Sequence, residues 1–233
     1  MRQSASMPNR SEAEDHLRVI RTLMERATIY RAVSAQGAAV GGAATLLGGL
    51  ILAACFCAAN HQGAQLNSDL PVRGVFTLVW GTVFLTASGA NFYFLRRAAL
   101  RRNDPFLSPG MRMALQALAP SLLCGAVLTT VALLLQQVWL GLPVVWMLCY
   151  GMGLLSTAHF APRSISRLGW TFLNFGLLTA VCLALPGWSE YYWAMASNLL
   201  MMGAFGFGHL AYAAYVWPRQ VAAPGAVAPT AEP

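Results

Sequence analysis

The chain contains no lysine, and fourteen of its fifteen arginines lie in alternate gaps between six long apolar stretches. This alternation constrains the fold more than any other feature. An apolar run needs about 20 residues to cross the hydrocarbon core as a helix. Inside lipid every backbone N–H and C=O must be bonded within the protein, which selects helices for such runs. The stretches fall at about 32–58, 74–95, 113–135, 139–160, 168–185 and 191–217, and their interiors contain no Asp, Glu or Arg. Only 10% of the residues are charged, against about 25% in soluble domains. The expected fold is therefore all-α: a polytopic transmembrane bundle of six helices over residues 32–217. It is flanked by a cytoplasmic segment, 1–31, and an Ala/Pro-rich tail, 218–233, too simple to build a core.

The arginines also set the orientation. Arg2, Arg10, Arg18, Arg21, Arg26 and Arg31 precede the first span. Arg96, Arg97, Arg101, Arg102 and Arg112 fill the second-to-third gap, Arg163 and Arg167 the fourth-to-fifth, and Arg219 follows the sixth. The intervening gaps hold Arg73 alone. The positive-inside rule then places both termini in the cytoplasm. Tyr191, Tyr192 and Trp193 are expected to form an outer aromatic belt, and Tyr212, Tyr215 and Trp217 an inner one. The net charge of +7 follows from the same loop signal. No basic face with interleaved aromatics lies outside the spans, so the lipid bilayer, and not nucleic acid, is the expected partner of that charge.

Residues 11–31 read as an amphipathic juxtamembrane helix. Ser11 and Glu14 have capping-box spacing. Leu17, Ile20, Met24 and Ala27 recur at helical spacing, and Glu14 and Arg18 form an i,i+4 pair. Two roles stay open: a helix lying along the inner leaflet, where arginine meets anionic lipid, or a docking surface for a cytosolic partner or a second copy of the chain.

The first span carries Gly37, Gly41, Gly42, Gly48 and Gly49. Small residues at helical spacing let backbones approach, so this span is expected inside the bundle. All five cysteines, Cys55, Cys57, Cys124, Cys149 and Cys182, lie in apolar stretches. No Cys/His set has metal-ligand spacing, and packing is their default role. No metal or cofactor is expected.

The spans group as three hairpins whose second helices end alike: small residues precede Asn91, His159 and His209, each followed by an apolar residue. A triplicated ancestor would leave such a pattern. Polar groups in lipid usually face the bundle interior. Asn91, His159, His209 and Asn174 are therefore the candidate ligand-binding residues, with Asn198 a further buried polar group. For each the alternative is interhelical hydrogen bonding, worth about 0.6 kcal/mol on average. His159 lies four residues before Arg163, within reach of headgroups. His209, ten residues before Arg219, lies deeper by about 9 Å at 1.5 Å per residue. That offset argues against the two histidines sharing one haem iron.

No nucleophile elbow, phosphate loop, paired carboxylates or metal constellation is present, so no catalytic residue is assigned. No intramembrane carboxylate is available to couple transport to protons or sodium. Pro120 and the Gly203, Gly206, Gly208 cluster are the only pointers to broken helices, and ordinary close packing is the preferred account of them.

Trp146-x-x-x-Tyr150-Gly151, Phe160-x-Pro162-Arg163, Arg167-x-Gly169-x-x-Phe172, Gly176 and Gly206-Phe-Gly208-His209-x-x-Tyr212 form an ordered series. With the Leu17–Arg31 segment, it resembles a family of small, uncharacterised bacterial six-helix inner-membrane proteins with a C-terminal Gly-x-x-His-x-x-Tyr-like helix. Such proteins are often encoded near winged-helix regulators. The resemblance implies a membrane component, no catalytic residue and no cofactor. Two functions follow as expectations. One is a non-enzymatic membrane component acting through a cytosolic partner or regulator, or through self-association, at residues 11–31. The other is a small-molecule binder or uncoupled permease with a site in the cytoplasmic half of the bundle.

Overall fold

The computed structural model describes residues 14, 15, 17–19, 34–61, 70–101, 103, 105–134, 141–184 and 190–221, with the backbone alone at 70–73, 183–184, 190–193 and 219–221. Ser34 opens the first helix, α1 (Ala35–His61). Its hydroxyl accepts from the Gly37 N–H at 3.0 Å, satisfying a donor that a helix start leaves free. α2 (Leu70–Leu100) runs past the apolar stretch at both ends, so Arg96 and Arg97 extend the helix beyond it. Asn103 then takes φ 53° in the connection, a left-handed conformation that Asn tolerates. Ser108 caps α3 (Pro109–Leu134) by accepting from Met111 N–H at 3.3 Å, with Pro109 at the first helical position, where its missing N–H is harmless.

α4 (Gly141–Ser156) has 16 residues and gives way to turns at 157–160. It is shorter than the expected 139–160 span and leaves His159 outside the helix. Thr157 and Ser156 hydroxyls bond the carbonyls of Leu154 and Gly153 at 2.7 Å each, competing with helix continuation. α5 (Arg163–Ala184) follows. The last span comprises α6 (Glu190–Met201), a π turn (Met202–Phe207) and α7 (Gly208–Val221). The Gly203–Gly208 region is therefore a widened turn in a continuous helix, not a break. α7 continues through Pro218, so the tail that the sequence suggests from 218 is helical to Val221. Its remainder, the capping residue Ser11 and most of the juxtamembrane helix lie outside the described residues, as do the side chains of Tyr191, Tyr192 and Trp193.

Among the described residues, five helices are long and apolar enough to cross a membrane: Ala35–His61, Gly74–Leu100, Pro109–Leu134, Arg163–Cys182 and Ala194–Pro218. Gly141–Ser156 is a shorter apolar helix. The architecture is that of an all-helical multi-pass membrane protein. Threonines inside the spans return their hydroxyls to the carbonyl four residues back, as Thr45 does to Gly41 at 2.8 Å and Thr129 to Gly125 at 2.7 Å. No polar hydrogen of these groups is then offered to lipid.

α1 is the hub. It packs against α2 on one side and against α6, the π turn and α7 on the other. Gly37, Gly41 and Gly48 face Asn91, Ala87 and Val83 of α2, whereas Gly42 and Gly49 face the last span. At Gly42 an added Cβ would lie 2.9 Å from the Gly206 carbonyl oxygen, so the two backbones touch there. α4 and α5 form the other tight pair: a Cβ at Gly151 would lie 2.8 Å from Leu173 N and 2.9 Å from Gly169 O. α2 leans mainly on α1, and α3 on α4. The first two hairpins pack as pairs, but α5 makes only a small contact with α7, so the third is not a packed hairpin.

Three apolar clusters hold the bundle. Leu52, Phe56, Phe76, Trp80, Leu142, Ala194 and Met201 join α1, α2, α4 and α6. Val144, Met147, Phe172 and Ala204 join α4 and α5 to the π turn. Ala35, Ile165, Tyr212 and Val216 join α1, α5 and α7. Tyr212 is thus buried instead of forming an interfacial belt; its helical neighbours Tyr215 and Trp217 are exposed. Four-residue spacing puts Tyr212 and Val216 on the inward stripe of α7.

Candidate functional site

The backbone crossing at Gly151 and Gly169 determines what surrounds the π turn. Tyr150 precedes Gly151, and Phe172 lies three residues after Gly169, so the crossing draws their rings together at 4.9 Å between centroids, edge to face at 81°. Phe205, in the π turn, lies 4.8 Å from Phe172 and 5.7 Å from Tyr150. Gly208 lies beside the Phe172 ring, whose edge is 3.7 Å from where a Cβ would sit. His209 completes the group, stacked on Phe205 at an interplanar angle of 17°.

The hydrogen bonds assign roles to the two polar members. His209 Nδ1 lies 2.7 Å from the Phe205 carbonyl oxygen. A carbonyl only accepts, so Nδ1 carries the proton and donates. In the neutral ring Nε2 is then an acceptor, and it receives the Tyr150 hydroxyl at 3.0 Å. Both donors are consumed. What the pair keeps is acceptor capacity on the Tyr150 oxygen, beside the Phe172 and Phe205 rings. Among the described residues, no three His, Cys, Asp or Glu side chains gather as metal ligands.

Of the residues singled out from sequence, His209 alone enters this group. Asn91 is exposed on α2, with its Oδ1 against Gly37 of α1. His159 is exposed in the turn after α4, and Asn174 is exposed on α5. The four do not converge, because each helix's phase, not its polarity, decides which side chain turns inward. Asn198 is fully buried and donates from Nδ2 to the Gly49 carbonyl at 2.8 Å, tying α6 to α1. Tyr150, Phe172 and Phe205 are not residues that polarity within a span singles out. Two of them do stand in the ordered glycine–aromatic series, beside the glycines at which helices cross.

No family model, no curated protein and no solved structure matches this chain.

Proposed function

We propose that this chain is a bacterial inner-membrane protein with six spans and both termini in the cytoplasm. In this reading it binds a small, uncharged, planar hydrogen-bond donor within the membrane at His209 and Tyr150. The arginine alternation supports the orientation. α4, about 24 Å long at 1.5 Å per residue, serves as the sixth span, with the bilayer thinning to meet it. The observation that carries the binding reading is the Tyr150–His209 hydrogen bond enclosed by Phe172 and Phe205 across three helices. Ionisable residues inside a membrane domain mark functional sites by default, and π turns occur often at such sites. No acidic residue lies within the spans, so passage of the ligand, if the site leads to it, is uncoupled. Purified protein in nanodiscs should melt at higher temperature with 1-naphthol or indole, and His209→Ala and Tyr150→Phe should abolish the shift. A shift of equal size in both variants would remove the site.

A second reading, docking of a cytosolic partner on residues 11–31, rests on Leu17 and Val19. Both are helical and exposed at 65% and 57%, beside an Arg18–Asp15 pair at 3.9 Å. Apolar side chains so placed are available to a partner. Pull-down from native membranes should recover a partner that Leu17→Asp releases; recovery unchanged by Leu17→Asp would count against it.

A further inference from the structure

α5 turns one continuous stripe toward the outside of the bundle. Arg163, Arg167, Trp170, Asn174, Leu177 and Val181 recur at four- and three-residue spacing, which places them on one face of the helix, and all six are exposed. Along the helix the stripe changes from two arginines to an indole, then an amide, then aliphatic side chains. At its charged end α5 meets α7. Ile165 is buried there with Tyr212 and Val216 of α7, and on the exposed side of that contact Arg167 Nη1 donates to the Tyr215 hydroxyl at 3.0 Å. A guanidinium has five N–H donors, and this bond spends one. The phenol is neutral, so it orients the guanidinium without compensating its charge. Neither α5 nor α7 contains Asp or Glu, so the charge has no carboxylate partner on the helices that hold it. Arg163, one turn earlier, adds a second positive charge at a spacing where like charges repel. An anion shared by the two arginines removes that repulsion.

We propose that this stripe holds one anionic phospholipid of the phosphatidylglycerol class. Its phosphodiester accepts from Arg167 and Arg163, a pairing that suits the planar fork of a guanidinium. Trp170 lies one turn deeper than Arg167, about 4.5 Å at 1.5 Å per residue. There its indole N–H donates to a glycerol ester carbonyl, at the interfacial level that tryptophan favours. The acyl chains run along Leu177 and Val181. A zwitterionic lipid offers the same phosphate, but the paired arginines repel its attached cation, which selects an anionic headgroup. Free phosphate has no chains and fills only the charged end of the stripe. The site requires only that α5 cross the bilayer, for which it is long and apolar enough. It depends neither on which leaflet the charged end meets nor on the ligand proposed at Tyr150 and His209.

The test titrates the full chain, delipidated in detergent, with palmitoyl-oleoyl phosphatidylglycerol or the matching phosphatidylcholine and counts bound lipids by native mass spectrometry. The first phosphatidylglycerol should bind more tightly than the first phosphatidylcholine. At about 1 kcal/mol per arginine, Arg167→Gln should weaken phosphatidylglycerol binding about fivefold, and Arg163→Gln combined with Arg167→Gln about 25-fold. Tyr215→Phe keeps the charge but frees the guanidinium, and should weaken binding by less than Arg167→Gln does. Arg97→Gln, an exposed position at the end of α2, removes the same charge elsewhere and should leave binding unchanged. Excess inorganic phosphate should not displace the lipid. Equal binding of the two lipids, or phosphatidylglycerol affinity unchanged in Arg167→Gln, would overturn the proposal. So would an equal loss in Arg97→Gln, which would reduce the effect to general charge attraction, or displacement by inorganic phosphate, which would assign the arginines to a free anion.

Discussion

α1 and α3 have equal mean hydropathy, yet 39% of the apolar window of α1 is buried inside the bundle and 6% of that of α3. The difference lies in small residues at helical spacing. α1 has two glycine rows, Gly37, Gly41 and Gly48 toward α2 and Gly42 and Gly49 toward the last span. α3 buries only Gly110 and Gly125; its leucines face outward, as Leu123 does at 66% exposure. In lipid, apolar side chains gain little by leaving one apolar environment for another, so hydropathy reports membrane residence and not interior position. Close approach of backbones, with the dispersion and polar contacts it permits, decides which helix is central.

Four substitutions probe this contrast. Gly42→Leu places a side chain against the Gly206 backbone and should lower stability by roughly 3 kcal/mol, read as a lower unfolding midpoint in detergent. The adjacent Ala43→Leu, on an exposed position, should stay within about 0.5 kcal/mol; equal losses would break the distinction between the inward and outward faces of α1. Trp146→Phe removes the 2.6 Å bond from Trp146 Nε1 to Thr129 Oγ1, one of the few polar ties holding α3 to α4. It should cost about 0.6 kcal/mol, and a loss several times larger would mean that α3 contributes more than a peripheral helix. Leu123→Ala should be the least consequential, below about 0.5 kcal/mol, because lipid chains fill the space the leucine side chain vacates; the same melting series checks it.

Much of this fold is legible in the chain. Run length and the need to satisfy backbone groups locate the helices. Glycine spacing places α1 inside. The site is legible only in part. Asn91, His159 and Asn174 are polar residues in apolar surroundings, a pattern that predicts burial only when helix phase and helix end are known. α4 stops at Ser156, which puts His159 in a turn, and Asn174 falls on the outer stripe of α5. Pro120 leaves α3 continuous, and the nearby Ala117 carbonyl accepts from Ser156 Oγ at 2.8 Å, a further polar tie between α3 and the end of α4. Tyr150 and Phe172 read as packing aromatics. Their positions become informative only when Gly151 and Gly169 are seen to be one crossing. The π turn has no sequence rule beyond its glycines, yet it supplies Phe205 and the carbonyl that fixes the His209 tautomer.

The binding claim is tested most directly by the 15N spectrum of His209 in labelled protein reconstituted in bilayers, recorded with and without 1-naphthol. The geometry predicts a neutral ring protonated at Nδ1, with Nε2 as an acceptor whose resonance moves when the donor binds beside Tyr150. A ring protonated at Nε2, or an Nε2 resonance unmoved at saturating 1-naphthol, would contradict it.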